Sequence, residues 1–140
     1  MSDSTGGDVL DIVAGDETLS GASLQASIDA LLAMAKSFDA DLRGATEVED
    51  LQAIGAAQAD LNNQAMTLVT AQVKLMVGEA KVTAEHIDAA TKYAKDAIET
   101  MKDWRRKIAA AGKVIDFCGA VLSGSGTRMV ETAVKLKDVL

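Results

Sequence analysis

Between Ile87 and Leu122 every position on a 3,4,3,4 count is apolar: Ile87, Ala90, Ala94, Ala97, Met101, Trp104, Ile108, Ala111, Ile115, Cys118 and Leu122. A 3.5-residue repeat keeps one seam of a helix turned toward a partner, so this stretch predicts an extended helix of about 50 Å at 1.5 Å rise per residue. Two further seams supply its partners. Leu24, Ile28, Leu31, Ala35, Phe38 and Leu42 keep the count, as do Leu51, Ile54, Gln58, Leu61, Ala65, Leu68, Gln72 and Leu75.

Turn and capping residues divide these seams into elements. Gly44 is a stop, and Thr46-Glu47-Val48-Glu49 has the form of a capping box, with a hydroxyl and a carboxylate three residues apart to satisfy free amides at a helix start. Gly78 ends the second helix, or the helix runs on to Lys81; Thr83 caps the third, with Glu85 in its first turn. Ser123-Gly124-Ser125-Gly126 interrupts the third, and Thr127 caps a short last helix striped by Met129, Ala133, Leu136 and Leu140. The map is helices near 22–43, 46–80, 84–122 and 127–139, joined by links short enough to favour antiparallel neighbours. The expected fold is all-α: an elongated antiparallel bundle of three long heptad-patterned helices plus a short C-terminal one, a single domain over 23–140.

Residues 1–22 read differently. Five acids, no bases, four glycines and several hydroxyl residues describe a flexible acidic segment, with Val9, Leu10, Ile12 and Val13 as a small apolar knot that can dock on a neighbour. The first 80 residues hold thirteen acids against Lys36, Arg43 and Lys74, a net charge of minus ten, while 81–140 carry plus three. That asymmetry favours packing of the first half on the second, within a chain or between chains, and disfavours nucleic acid as a partner. The one dense basic cluster, Lys102, Arg105, Arg106 and Lys107 around Trp104, reads as a solvated helix face with Asp103 and Lys107 as an i,i+4 pair, or as a docking point for an acidic partner.

Chemistry is sparse. His86 is the single histidine and Cys118 the single cysteine, which leaves no histidine-rich metal centre and no internal disulfide. On one helix those two residues are about 48 Å apart, too far for a nucleophile and its base. No acid is matched with a second carboxylate in a setting that would raise its pKa. Gly119 to Thr127 superficially resembles a glycine-rich phosphate loop, but it lacks the P-loop lysine and a second strand-like segment, and a helix stop followed by a cap explains it. No catalytic residue, cofactor or metal is expected. Even the most apolar window, Ile108 to Leu122, contains Lys113 and Asp116, so no membrane span is expected. The start Met1-Ser2-Asp3 does not resemble an export signal, and the expected setting is the cytoplasm, with secretion without a cleavable signal peptide as the alternative.

What remains is helix contact. Val114, Phe117 and Val121 widen the apolar face of the third helix beyond one partner's needs; either the last helix folds back over them or a subunit does. Gln58 and Gln72 sit two heptads apart in the second seam, where polar residues either fix register at a cost in stability or mark a partly exposed seam; if they specify assembly, replacing both by leucine is expected to raise the melting temperature and blur the oligomeric state. The candidate interaction residues are therefore Gln58, Gln72, Trp104, Arg105, Arg106, Val114, Phe117 and Val121. The expected function is that of a non-catalytic, self-associating helical scaffold or adaptor. The alternatives are a helical subunit or substrate of a specialised bacterial secretion system and an amphipathic coat on a membrane or granule surface, the latter disfavoured by a net-acidic, aromatic-poor chain.

Overall fold

A computed structural model of the chain describes residues 11–12, 18–21, 23–74, 80–81 and 84–140. Six helices carry the described chain: α1 (Gln25–Ser37), α2 (Asp39–Gly44), α3 (Val48–Val69), α4 (Ala84–Thr100), α5 (Trp104–Ser123) and α6 (Gly126–Val139). Two minimal antiparallel ribbons accompany them, β1 (Asp11–Ile12) with β4 (Ala80–Lys81) and β2 (Thr18–Ser20) with β3 (Gln72–Lys74). The architecture is a helical bundle in which α1 packs on α3 and α4, and α5 packs on α3, α4 and α6.

The boundaries depart from the heptad map for identifiable reasons. The first predicted helix is interrupted at Phe38, where two side chains from elsewhere take the carbonyls that would continue the ladder. Gln58 Nε2 donates to the Ala35 oxygen at 2.8 Å and Lys107 Nζ to the Ser37 oxygen at 3.0 Å. Helix α3 begins one residue later than a Thr46 cap implies, with Glu47 extended at its start and making no side-chain cap bond, so the capping box does not form. It also ends at Val69, well short of Gly78. Thr67, Val69, Thr70 and Val73 are β-branched and favour extended backbone, and Val73 pairs with Leu19 across the β2–β3 ribbon. The ribbon is pinned to that helix end at Gly21, where an added Cβ would lie 2.1 Å from the Val69 carbonyl oxygen.

The five-heptad third helix is two helices. The chain leaves helix at Met101–Asp103, and Asp103 caps α5 by accepting the Arg105 amide at 3.0 Å. A short acidic side chain that satisfies free amides ends one helix and starts another even where the apolar count runs through it. Beyond that break α5 is continuous through Gly112 and ends at Gly124, whose φ of 75° supplies the left-handed C-cap. Ser125, not Thr127, caps α6, its Oγ accepting the Arg128 amide at 3.2 Å.

The core is one cluster built on Leu24, Leu31, Met34, Phe38, Ile54, Leu61, Leu68, Ile87, Ile98, Phe117 and Met129, all fully buried. In α5 the deep face is Lys107, Ala110, Val114, Phe117 and Val121, beside Ala111 and Cys118, while the seam residues Ile108, Ile115 and Leu122 lie at its half-buried margin. Of the segment 1–22, the described stretches 11–12 and 18–20 are strands; the Val9, Leu10 and Val13 part of the apolar knot, and the Gly78 and Thr83 boundaries, lie outside the described residues. Among the described residues no helix is long and apolar enough to cross a membrane.

Candidate functional site

The buried clasp that fixes α1, α2, α3 and α5 relative to one another is the most polar feature of the core. Lys107 is 4 % exposed and lies over the Phe38 ring, 4.5 Å from its centre, with its ammonium 2.6 Å from Asp41 Oδ2 and 3.0 Å from the Ser37 oxygen. Gln58 completes the arrangement by donating to Asp39 Oδ1 at 2.7 Å as well as to Ala35. A lysine this deep is tolerated because two oxygens and an aromatic face replace its water. A similar link joins α1 to α4, where Asp88 Oδ1 accepts both the amide and the hydroxyl of buried Ser27.

These contacts reassign several candidate interaction residues. Gln58 is an internal clasp between helices and not a register-setting amide facing a partner chain. Gln72 lies in β3, so the two glutamines do not share a helix seam. Val114, Phe117 and Val121 are 0 %, 0 % and 1 % exposed, enclosed within the chain where α6 folds back on α5, and present no surface. Lys107 leaves the expected solvated face because Asp103 is occupied as a cap. Arg105 stacks on the Trp104 ring at 4.3 Å and approaches Asp50 at 3.9 Å, but the pair is largely solvated and contributes little. Arg106 is exposed and Trp104 half-buried. The basic cluster thus divides between one buried anchor and a surface stack.

A second face of α3 is where exposed apolar surface concentrates. Its inner face, Ile54, Ala57, Leu61, Ala65 and Leu68, is buried against its neighbours. One step round the helix, Val48, Leu51, Gly55, Ala59, Asn62, Met66 and Val69 follow one another at intervals of three and four and form an outer stripe. Val48 is 66 % exposed, Met66 65 %, Val69 49 % and Leu51 37 %. Gln52, Gln58 and Asn63 border the stripe; at about 100° per residue the nearest charged positions, Glu49 and Asp60, lie roughly 80° or more beyond its edge. A helix of 22 residues with an uncharged outer face is unusual on a chain of which 25 % is charged. The signal was present in the sequence as a second apolar stripe displaced from the Leu51–Leu75 seam; a count that follows one seam passes over it.

Two grooves lie away from this stripe. One, about 470 Å³, lies where α3, α5 and α6 meet and is lined by Gln64, Lys113, Asp116, Arg128, Thr132 and Lys135, its three cations having no carboxylate within 4.0 Å among the described residues. The other, about 420 Å³ between α4 and α6, is apolar, with Ala90, Tyr93, Ala133 and Leu136 in its walls. The Cys118 thiol is enclosed, and burial pushes its pKa up to about 12, far from a reactive thiolate. Among the described residues no three His, Cys, Asp or Glu side chains converge as a metal-binding group. Comparison of the chain with protein-family models, with curated proteins and with solved structures found no match.

Proposed function

We propose that this protein is a non-catalytic, self-associating helical scaffold or adaptor that works through helix–helix contacts, and that the outer face of α3 is the surface it uses. The observation that carries the reading is the uncharged stripe from Val48 to Val69, with two of its large apolar side chains about two-thirds exposed. Contiguous apolar surface rimmed by polar residues marks contact sites, whereas the other exposed large apolar side chains, Leu32, Tyr93 and Val134, stand singly on three different helices. The clasp of Lys107, Asp41, Gln58 and Asp39 supports the same reading by holding α3 rigidly on the bundle, so a partner meets a preformed surface and little ordering entropy is lost. The proposed partners are helical proteins, this chain among them, with neither nucleic acid nor a cofactor involved. The proposed setting is the reducing cytoplasm, which suits a lone enclosed thiol.

The test is Val48→Glu with Met66→Glu, which places two carboxylates on the stripe without touching the core. Light scattering coupled to size exclusion is expected to give a larger mass for the wild-type chain than for the variant at equal concentration, with unchanged helical circular dichroism. Equal masses at every concentration would remove the α3 face from the account.

A further inference from the structure

We propose that the occupant of the α3 outer face is the same face of a second copy, lying antiparallel across a two-fold axis near Gln58 and Ala59. This rests on the preceding reading of α3 as a contact surface and adds the partner, the orientation and the register.

Residue sizes along the stripe run in nearly the same order from either end. From its N-terminal end it reads Val48, Leu51, Gly55, Ala59; from its C-terminal end it reads Val69, Met66, Asn62, Ala59. Large side chains occupy both ends and small ones the middle, so the stripe is nearly the same in either direction. Placed antiparallel on itself, Val48 meets Val69, Leu51 meets Met66, and Gly55 meets Asn62, each contact occurring twice as a two-fold interface requires. The space above Gly55 is open, with nothing within 4 Å of the position a Cβ would take, and it accommodates the Asn62 amide of the other copy. Small residues at the crossing point let helix axes approach closely, and one polar residue in an apolar seam fixes register.

A parallel arrangement fails on three counts. It sets Gly55 on Gly55 and leaves a void, and it brings together the Glu47, Glu49 and Asp50 groups that surround both helix starts. It also aligns the two helix dipoles, whereas the antiparallel arrangement opposes them and separates the acidic ends by about 33 Å, the length of 22 residues. A single helix pair lies at the small end of specific interfaces, so the dimer forms in proportion to concentration.

Cross-linking between copies distinguishes these arrangements. In a Cys118→Ala background, full-length chains carrying Val48→Cys, Val69→Cys or, as an off-face control, Glu49→Cys are mixed pairwise, oxidised in a glutathione buffer and resolved by intact mass, with scattering measured in parallel. Because a disulfide needs Cβ atoms within about 4.5 Å, the mixed Val48→Cys with Val69→Cys product is expected to exceed either homodimer about ten-fold, and the Glu49→Cys control to give neither. Dominant homodimers of Val48→Cys would overturn the antiparallel register and leave α3 as the contact surface. Association by scattering without any link through positions 48 or 69 would overturn both the register and the α3 surface. Absence of association at any concentration would overturn self-association itself.

Discussion

Lys107→Ala is expected to be among the most destabilising single substitutions in this chain, and its magnitude follows from what it leaves behind. The variant removes an ammonium whose side chain is 5 % exposed and strands Asp41, whose own side chain is 18 % exposed, at the junction of α1 and α2. It also frees the Ser37 carbonyl and empties the space over the Phe38 ring. Breaking a buried ion pair from one side costs about 3–5 kcal/mol, and because Asp41 retains some contact with water the lower end applies, about 3 kcal/mol. For a chain of this size that corresponds to a fall in Tm of roughly 10 °C. Lys107→Met, which keeps the stem over Phe38, should lose less. The double variant Lys107→Met with Asp41→Ala should be more stable than Lys107→Met alone, because no unpaired carboxylate remains. Urea unfolding followed by helical circular dichroism and Trp104 fluorescence measures all three. A loss below about 1 kcal/mol for Lys107→Ala, or a double variant less stable than Lys107→Met, would refute the reasoning, since either means the pair is effectively solvated.

Two further predictions follow from the same contacts. Gln58→Leu is expected to lower stability by about 1–3 kcal/mol in urea unfolding, because it withdraws the donor from the Ala35 carbonyl and from Asp39; this reverses the sign expected from its seam position. The thiol of Cys118 is held protonated by burial, with its pKa pushed from 9.0 up to about 12 in the folded chain, so the folded state binds that proton more tightly than the unfolded state. The associated stability is present below pH 9.0 and is lost progressively as pH rises toward about 12, and Cys118→Ala should show a shallower decline of Tm over that window.

How much of this was legible in the sequence depends on the range of the interaction concerned. Helix identity and the bundle class follow from apolar spacing, which reports how a face is buried whatever buries it, and for that reason spacing leaves open whether α6 or a subunit covers the α5 face. Helix ends are decided by single polar atoms. Asp103 ends one helix and caps the next inside an unbroken apolar count, and Ser125 caps α6 where Thr127 has the same chemistry. The clasp was unreadable because Lys107 and Asp41 are 66 positions apart, and the nearest acid to Lys107 in sequence, Asp103, is engaged by the Arg105 amide. The surface was misplaced for a related reason. A wide apolar face on α5 and an uncharged stripe on α3 look alike as strings, and only the fold shows that the first is enclosed within the chain while the second is exposed.

Exposed apolar surface is spread unevenly over the described helices, with four of the seven exposed large apolar side chains on α3. Every helix but α2 contributes to the core, Ile87 and Ile98 from α4 and Met129 from α6 among them. The exposed surfaces of α4 and α6 carry Lys92, Asp96, Glu99, Glu131 and Lys137, with Tyr93 and Val134 as isolated exposed apolar side chains among them. The Val48–Val69 stripe of α3 contains no charged residue, with exposed Glu49 and Asp60 lying to one side of it.

Sedimentation equilibrium of the full chain over a wide concentration range tests the central claim most directly. The account predicts a reversible monomer–dimer distribution for the wild-type chain, shifted to monomer by Val48→Glu with Met66→Glu. A single monomeric species at the highest attainable concentration would contradict it.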